Sequence, residues 1–166
     1  MKALVVYYSN SGTTRRVAES IAEAIGGDLE EIVERRQRSP LLDENGKPVA
    51  GAGMAVAAMP ALLGLGSSIE RGRTNPSDYD VVVVGTPVWV GRVVPAVRSY
   101  LKRNRKHFAS VALFCTCGRA EKLKAIQQMR ALARMEPIAT MAVTSDDVRN
   151  GNYLGSVARF VEGLAQ

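Results

Sequence analysis

The residues best equipped for chemistry stand near the start of the chain, in Tyr7-Tyr8-Ser9-Asn10-Ser11-Gly12-Thr13-Thr14. The hydroxyls of Ser9, Ser11, Thr13 and Thr14 are donors without charge, and Gly12 lets the backbone take a positive φ or come close to a ligand. An apolar run over residues 3–8 leads into this stretch, and a helical pattern leaves it. A loop that opens a helix presents unpaired N–H groups and about half a unit of positive charge, which suits a phosphate dianion. Ser and Thr are equally at home as N-caps, so the cluster taken alone also reads as the end of a βα loop.

Two more segments share this character. Gly85-Thr86-Pro87-Val88-Trp89-Val90-Gly91 directly follows an apolar strand over residues 81–84, and Cys115-Thr116-Cys117-Gly118 follows a strand over residues 111–114. Small, polar or glycine residues after three strand ends, one with the sole tryptophan, describe a ligand crevice at the edge of an open α/β sheet. In order and spacing these segments resemble the flavodoxin family, over nearly the whole length from Met1 to the last helix. Ser9-x-Ser11-Gly12-x-Thr14 closely matches that family's phosphate loop, and Gly-Thr-Pro-x-Trp after the third strand is typical of it.

The resemblance implies flavin mononucleotide (FMN) as cofactor and assigns its contacts. The phosphate falls to Ser9, Asn10, Ser11, Gly12, Thr13 and Thr14. The flavin ring, near its N5, falls to Thr86, Pro87, Val88, Trp89, Val90 and Gly91, and its pyrimidine edge to the backbone of Thr116, Cys117, Gly118 and Arg119. No catalytic residue and no metal is implied. From the residues alone Trp89 is a half-buried packing side chain; under the resemblance its ring covers one flavin face and excludes water. Low polarity there disfavours the anion formed on reduction. Many flavodoxins carry a tyrosine in the third loop to stack on the other face. Cys-Thr-Cys-Gly has no aromatic, which leaves that face to a substrate, a partner or the segment 35–77.

These loops need a frame to position them. Residues 3–8 read as a strand buried on both faces. Val17, Ile21 and Ile25 give residues 13–25 an amphipathic helix, closed by Gly26-Gly27. Residues 29–34 read as an edge strand because of Glu30, Glu31 and Glu34. The segment 35–77 is too long for an ordinary connection. Strands follow at 79–84, 110–115 and 138–143, and helices at 95–102, which begins at Pro95, and 121–134. A last helix from about Tyr153 would bury Val157, Phe160, Val161 and Leu164. This alternation predicts an α/β fold in one domain: a flavodoxin-like three-layer α/β/α sandwich on a five-stranded parallel sheet in the order 2-1-3-4-5.

Bulk properties narrow the function. The 166 residues carry 22 Lys+Arg against 16 Asp+Glu, a net charge of +6, where electron-carrying flavodoxins are commonly acidic. The basic residues gather at Arg35, Arg36 and Arg38, at Arg71 and Arg73, and between Arg98 and Lys106. No aromatic residues interleave with them in a stacking pattern, so solvated faces are expected and nucleic-acid binding is not. Residues 49–68 have no ionisable side chain, but glycines and Pro60 interrupt them. A short packed helix is expected there, with no membrane span. Two cysteines one residue apart imply a reducing compartment, and with no signal peptide at the N-terminus the expectation is cytoplasmic. His107 is the only histidine, which leaves a Cys/His metal site short of ligands. Asp146 and Asp147 are expected to cap the last helix or to face solvent. A P-loop, a dinucleotide fingerprint, a receiver-domain acidic pocket and a Cys-x5-Arg phosphatase loop are all missing. The expected function is electron carriage by bound FMN between redox partner proteins. An FMN-dependent NAD(P)H:quinone reductase and a flavin-free binding module are the alternatives, as monomer or dimer.

Overall fold

The computed structural model describes residues 1–35, 65–118 and 122–164. Strand β1 (Ala3–Tyr7) leads through helix α1 (Thr13–Ile25) to β2 (Asp28–Glu31). The chain returns in β3 (Val81–Trp89), turns into the two-residue β4 (Arg92–Val93) and enters α2 (Pro95–Asn104). Strand β5 (Val111–Cys117), α3 (Lys122–Ala133), β6 (Ala139–Thr144), the short α4 (Ser145–Arg149) and α5 (Leu154–Leu164) complete it. The five long strands are parallel in the order β2-β1-β3-β5-β6, and β4 pairs antiparallel with the end of β3. Leaving β4 aside, this is the expected flavodoxin-like order.

The alternation of strand side chains explains the two-sided core. Leu4, Val6, Val82, Val84 and Leu113 face one way, onto Val97 and Leu101 of α2 and Met129 of α3. Val5, Val83 and Phe114 face the other way, onto Val17 and Ile21 of α1 and Val157 and Phe160 of α5. The periodic residues of α1 are buried as their spacing requires, and Gly26 ends the helix at φ 60, its N–H bonded to the carbonyls of Ala22 and Glu23. In α5, Val157, Phe160 and Leu164 are buried while Val161 packs half-buried against the same core.

Several expectations shift. The segment Gly85 to Trp89 is strand, not loop: β3 pairs with β5 as far as Pro87↔Thr116 and with β4 beyond. Cys115, Thr116 and Cys117 likewise belong to β5, and only Gly118 follows it. Gly85 is where it is because of packing: a Cβ there would stand 2.1 Å from the ring of Phe114, its cross-strand partner. Glu34 was expected on an exposed edge, yet it is buried and bridges to Ile69. Asp147 caps the short α4 through a reciprocal box with Thr144, rather than the last helix. The expected apolar helix at 49–68 lies outside the described residues except for 65–68, which are not helical. There the Ser99 hydroxyl accepts from Ser67 N–H and donates to Ser67 O, at 3.0 and 2.7 Å. Among the described residues no helix is long and apolar enough to cross a membrane.

Candidate functional site

The C-terminal ends of β1 and β3 form the switch point of the sheet: β1 sends the chain outward to β2, and β3 starts the other half. Tyr8 N–H donates to Gly85 O at 3.3 Å and Ile32 N–H to Tyr7 O at 2.7 Å, so the backbone is engaged up to Tyr8 and then leaves the sheet. Residues Ser9 and Asn10 are half-exposed, and Ser11 and Gly12 exposed. Ser9 Oγ accepts from Gly12 N–H at 3.1 Å, which closes the loop on itself. Gly12 is the N-cap of α1 at φ 83, a left-handed conformation that costs other residues about 1–2 kcal/mol.

That helix start suits an anion. No side chain caps it, its first turn holds no carboxylate, and a Cβ on Gly12 would meet nothing within 4 Å. Beside this start the Ser11 and Thr13 hydroxyls lie 3.4 Å apart, and free first-turn amides are what an anion seeks at a helix N-terminus. Thr14 behaves differently from its neighbours. It is buried, and its hydroxyl meets that of buried Thr116 at 2.8 Å, tying the first turn of α1 to the end of β5. Arg15 turns aside: its Nε donates to the Tyr7 hydroxyl at 3.1 Å and its Nη2 to Glu31 at 2.5 Å. Burial raises the Tyr7 phenol above its ordinary range, and the bond from Arg15 works against that.

At the end of the neighbouring strand, Trp89 closes β3 half-buried. The turn after it has both central residues at positive φ, Val90 at 49° and Gly91 at 69°. With Trp89↔Arg92 closing it, this is a primed two-residue hairpin. A β-branched residue is a poor occupant of that conformation, and Val90 is exposed at the tip. Trp89 is steadied from the first strand's end: the Tyr8 and Trp89 rings meet edge to face, 6.0 Å apart at 79°. The Tyr8 hydroxyl in turn donates to buried Glu34 Oε2 at 3.1 Å. Thr86 is fully buried, its hydroxyl on Pro87 O at 2.8 Å, while Pro87 and Val88 are half-buried. Arg92 neighbours half-buried Arg98, whose guanidinium is lowered from its ordinary value by burial first and by Arg92 second.

The neighbouring strand ends thus bring the first two predicted segments together through the Tyr8–Trp89 contact, with Thr116 reaching the first through Thr14. Cys115 and Cys117 are buried, and Cys117 Sγ lies 3.7 Å from Val143 O. Gly118 is exposed with open space at its Cβ position, and Arg119 lies outside the described residues. Sequence reasoning missed Glu34, Gln128 and the contacts of Tyr8. In each case the partner lies a long stretch of chain away, where no local pattern marks it.

A helix start behind left-handed Gly12 and an aromatic hairpin, both at the switch point of a parallel sheet, define an α/β protein of the doubly wound class. The chain belongs to the flavodoxin family, whose model matches residues 2–141. Among solved structures it is similar to a flavoprotein in complex with FMN from Lactobacillus acidophilus NCFM, at 22% identity and a TM-score of 0.69 over 90% of this chain and 97% of that one. The apo-form of the flavoprotein from that organism matches at 21% identity and a TM-score of 0.59, over 89% and 95% of the two chains. Oxidised flavodoxin 1 from Bacillus cereus matches at 15% and 0.50, over 98% of each. At these identities the likeness is one of fold.

Proposed function

We propose that this chain binds FMN non-covalently in the crevice and carries electrons between partner redox proteins in the cytoplasm. The observation that carries the reading is the uncapped, carboxylate-free start of α1 behind left-handed Gly12, across from half-buried Trp89. Residues 9–14 would hold the phosphate through backbone N–H groups and the open hydroxyls of Ser9, Ser11 and Thr13. Trp89 would lie against the ring, with the backbone of residues 86–91 along its edge and Gly118 and Arg119 near its pyrimidine end. Bound there, the flavin supplies one- and two-electron redox chemistry. The protein's part is to orient the ring, keep water from the indole side and limit charge near it. With Thr14 and Thr116 bonded to each other, their hydroxyls serve the binding surface as a brace between its two walls.

A second reading follows from the end of β5, where the described residues Cys115 to Gly118 offer no aromatic ring. An uncovered flavin face suits direct reaction with NAD(P)H or a quinone. Titration with FMN separates flavin binding from a flavin-free module: the reading expects a yellow protein with bound FMN and fails if none binds at micromolar concentration. Saturable quinone reduction by NAD(P)H would select the reductase, and absence of turnover with fast electron exchange to a partner the carrier.

A further inference from the structure

Half-buried Gln128 reaches from α3 to the hairpin that carries Trp89. Its Oε1 accepts from Val93 N–H at 3.2 Å and its Nε2 donates to Gly91 O at 3.2 Å. A side-chain amide has the same donor and acceptor as a peptide, so Gln128 acts as one extra rung on a hairpin whose returning strand is two residues long. That hairpin needs one. Strand β4 is two residues long, among the described residues it pairs through Val88↔Val93 and Trp89↔Arg92, and its turn places Val90 in a conformation that β-branched residues resist.

We propose that Gln128 is a positioning residue, holding the Trp89 hairpin in the shape that receives the flavin ring; the flavin half rests on the function proposed above. The two bonds grip different peptides: one fixes the carbonyl of Gly91, the other the N–H of Val93 on the returning strand. Together they set the orientation of the turn, while Tyr8 meets the indole itself. Loss of the clamp frees the turn to relax toward φ values that suit Val90, and Trp89 moves with it.

Two substitutions test this. Gln128→Met keeps the length and apolar stem and loses both bonds. Gln128→Glu is nearly isosteric, keeps the acceptor for Val93 N–H and sets an oxygen against Gly91 O. Trp89 is the sole tryptophan, so its fluorescence reports this hairpin alone. In the cofactor-free protein, acrylamide quenching of Trp89 should increase in both variants. Affinity for FMN and for riboflavin, which lacks the phosphate, should fall by the same factor, roughly tenfold for two neutral hydrogen bonds. Equal loss for both ligands places the damage at the ring and not at the phosphate loop. Unchanged Trp89 quenching in both variants would overturn the clamp, whatever the ligand does. Affinities within twofold of a parent that binds FMN would overturn the link to the flavin. A parent that binds no FMN defeats the function proposed above and with it the flavin half, whereas the quenching comparison still decides the clamp.

Discussion

Two glycines of α1 allow the backbone and the cofactor contributions to be separated. Gly12 begins the helix at φ 83 and Gly26 ends it at φ 60, and at neither would a Cβ meet an atom within 4 Å. Alanine at either position therefore carries a conformational penalty without a collision, about 1–2 kcal/mol each. For a chain of this length, each kcal/mol lowers Tm by about 2–4 °C, so each variant should melt roughly 2–8 °C below the parent without cofactor. Their ligand behaviour should part. At Gly12 the open space is what the account assigns to phosphate, and a methyl group there should weaken FMN binding about tenfold or more, equivalent to about 1.4 kcal/mol. Gly26→Ala, at the opposite end of the helix, should keep FMN affinity within about twofold. Thermal melts without cofactor, with FMN titrations by flavin fluorescence, give both quantities. Equal FMN affinities for the two variants would refute the assignment of the loop, however similar their melts.

Three further outcomes follow from the packing. Gly85→Ala drives a methyl group into the Phe114 ring, a 2.1 Å approach, and should destabilise by about 1–3 kcal/mol in denaturant melts, with partial recovery in the Gly85→Ala/Phe114→Leu double variant. Thr14→Val or Thr116→Val strands one buried hydroxyl at about 1–3 kcal/mol, whereas the double variant should come closer to the parent; strict additivity would contradict the 2.8 Å pair. The Tyr79 hydroxyl donates to Asp28 at 2.7 Å, and that bond with burial pushes its phenol up to about 12 from 10.0. A raised pKa in the folded state stabilises fully below the unfolded value and loses that contribution as pH rises from about 10 to 12. A phenolate absorbance titration should show this tyrosine ionising late, and Asp28→Asn should bring it back toward its ordinary range.

The parallel frame was legible because burial on both faces leaves a plain mark. The Val-rich run of β3 and the four-residue spacing of Val17 and Ile21 each carry their own periodicity. The loop over residues 9–14 and the helix it opens were equally visible, since Ser9 and Gly12 act through local backbone geometry. Strand ends were less so. Gly85, Thr86 and Pro87 have the composition of a loop, yet β3 continues through them because Phe114 fills the space that Gly85 leaves and because pairing with β5 stops at Pro87, which lacks an N–H. Glu34 illustrates the opposite error: a carboxylate in an edge-like run is buried against the Tyr8 hydroxyl, 26 positions away. Gln128 on α3 resembles any solvated helix residue until the fold places Gly91, 37 positions earlier, within reach of its amide. Local pattern encodes the scaffold and the helix start at Gly12, while the placement of Trp89 is set by contacts that only the tertiary structure supplies.

The most direct trial of the account is a crystal structure of the protein grown with excess FMN. It should show the phosphate within hydrogen-bond distance of the first-turn amides of α1 and of the Ser9, Ser11 or Thr13 hydroxyls, with the ring system against Trp89. A loop at residues 9–14 holding only solvent, or FMN seated elsewhere, would contradict it.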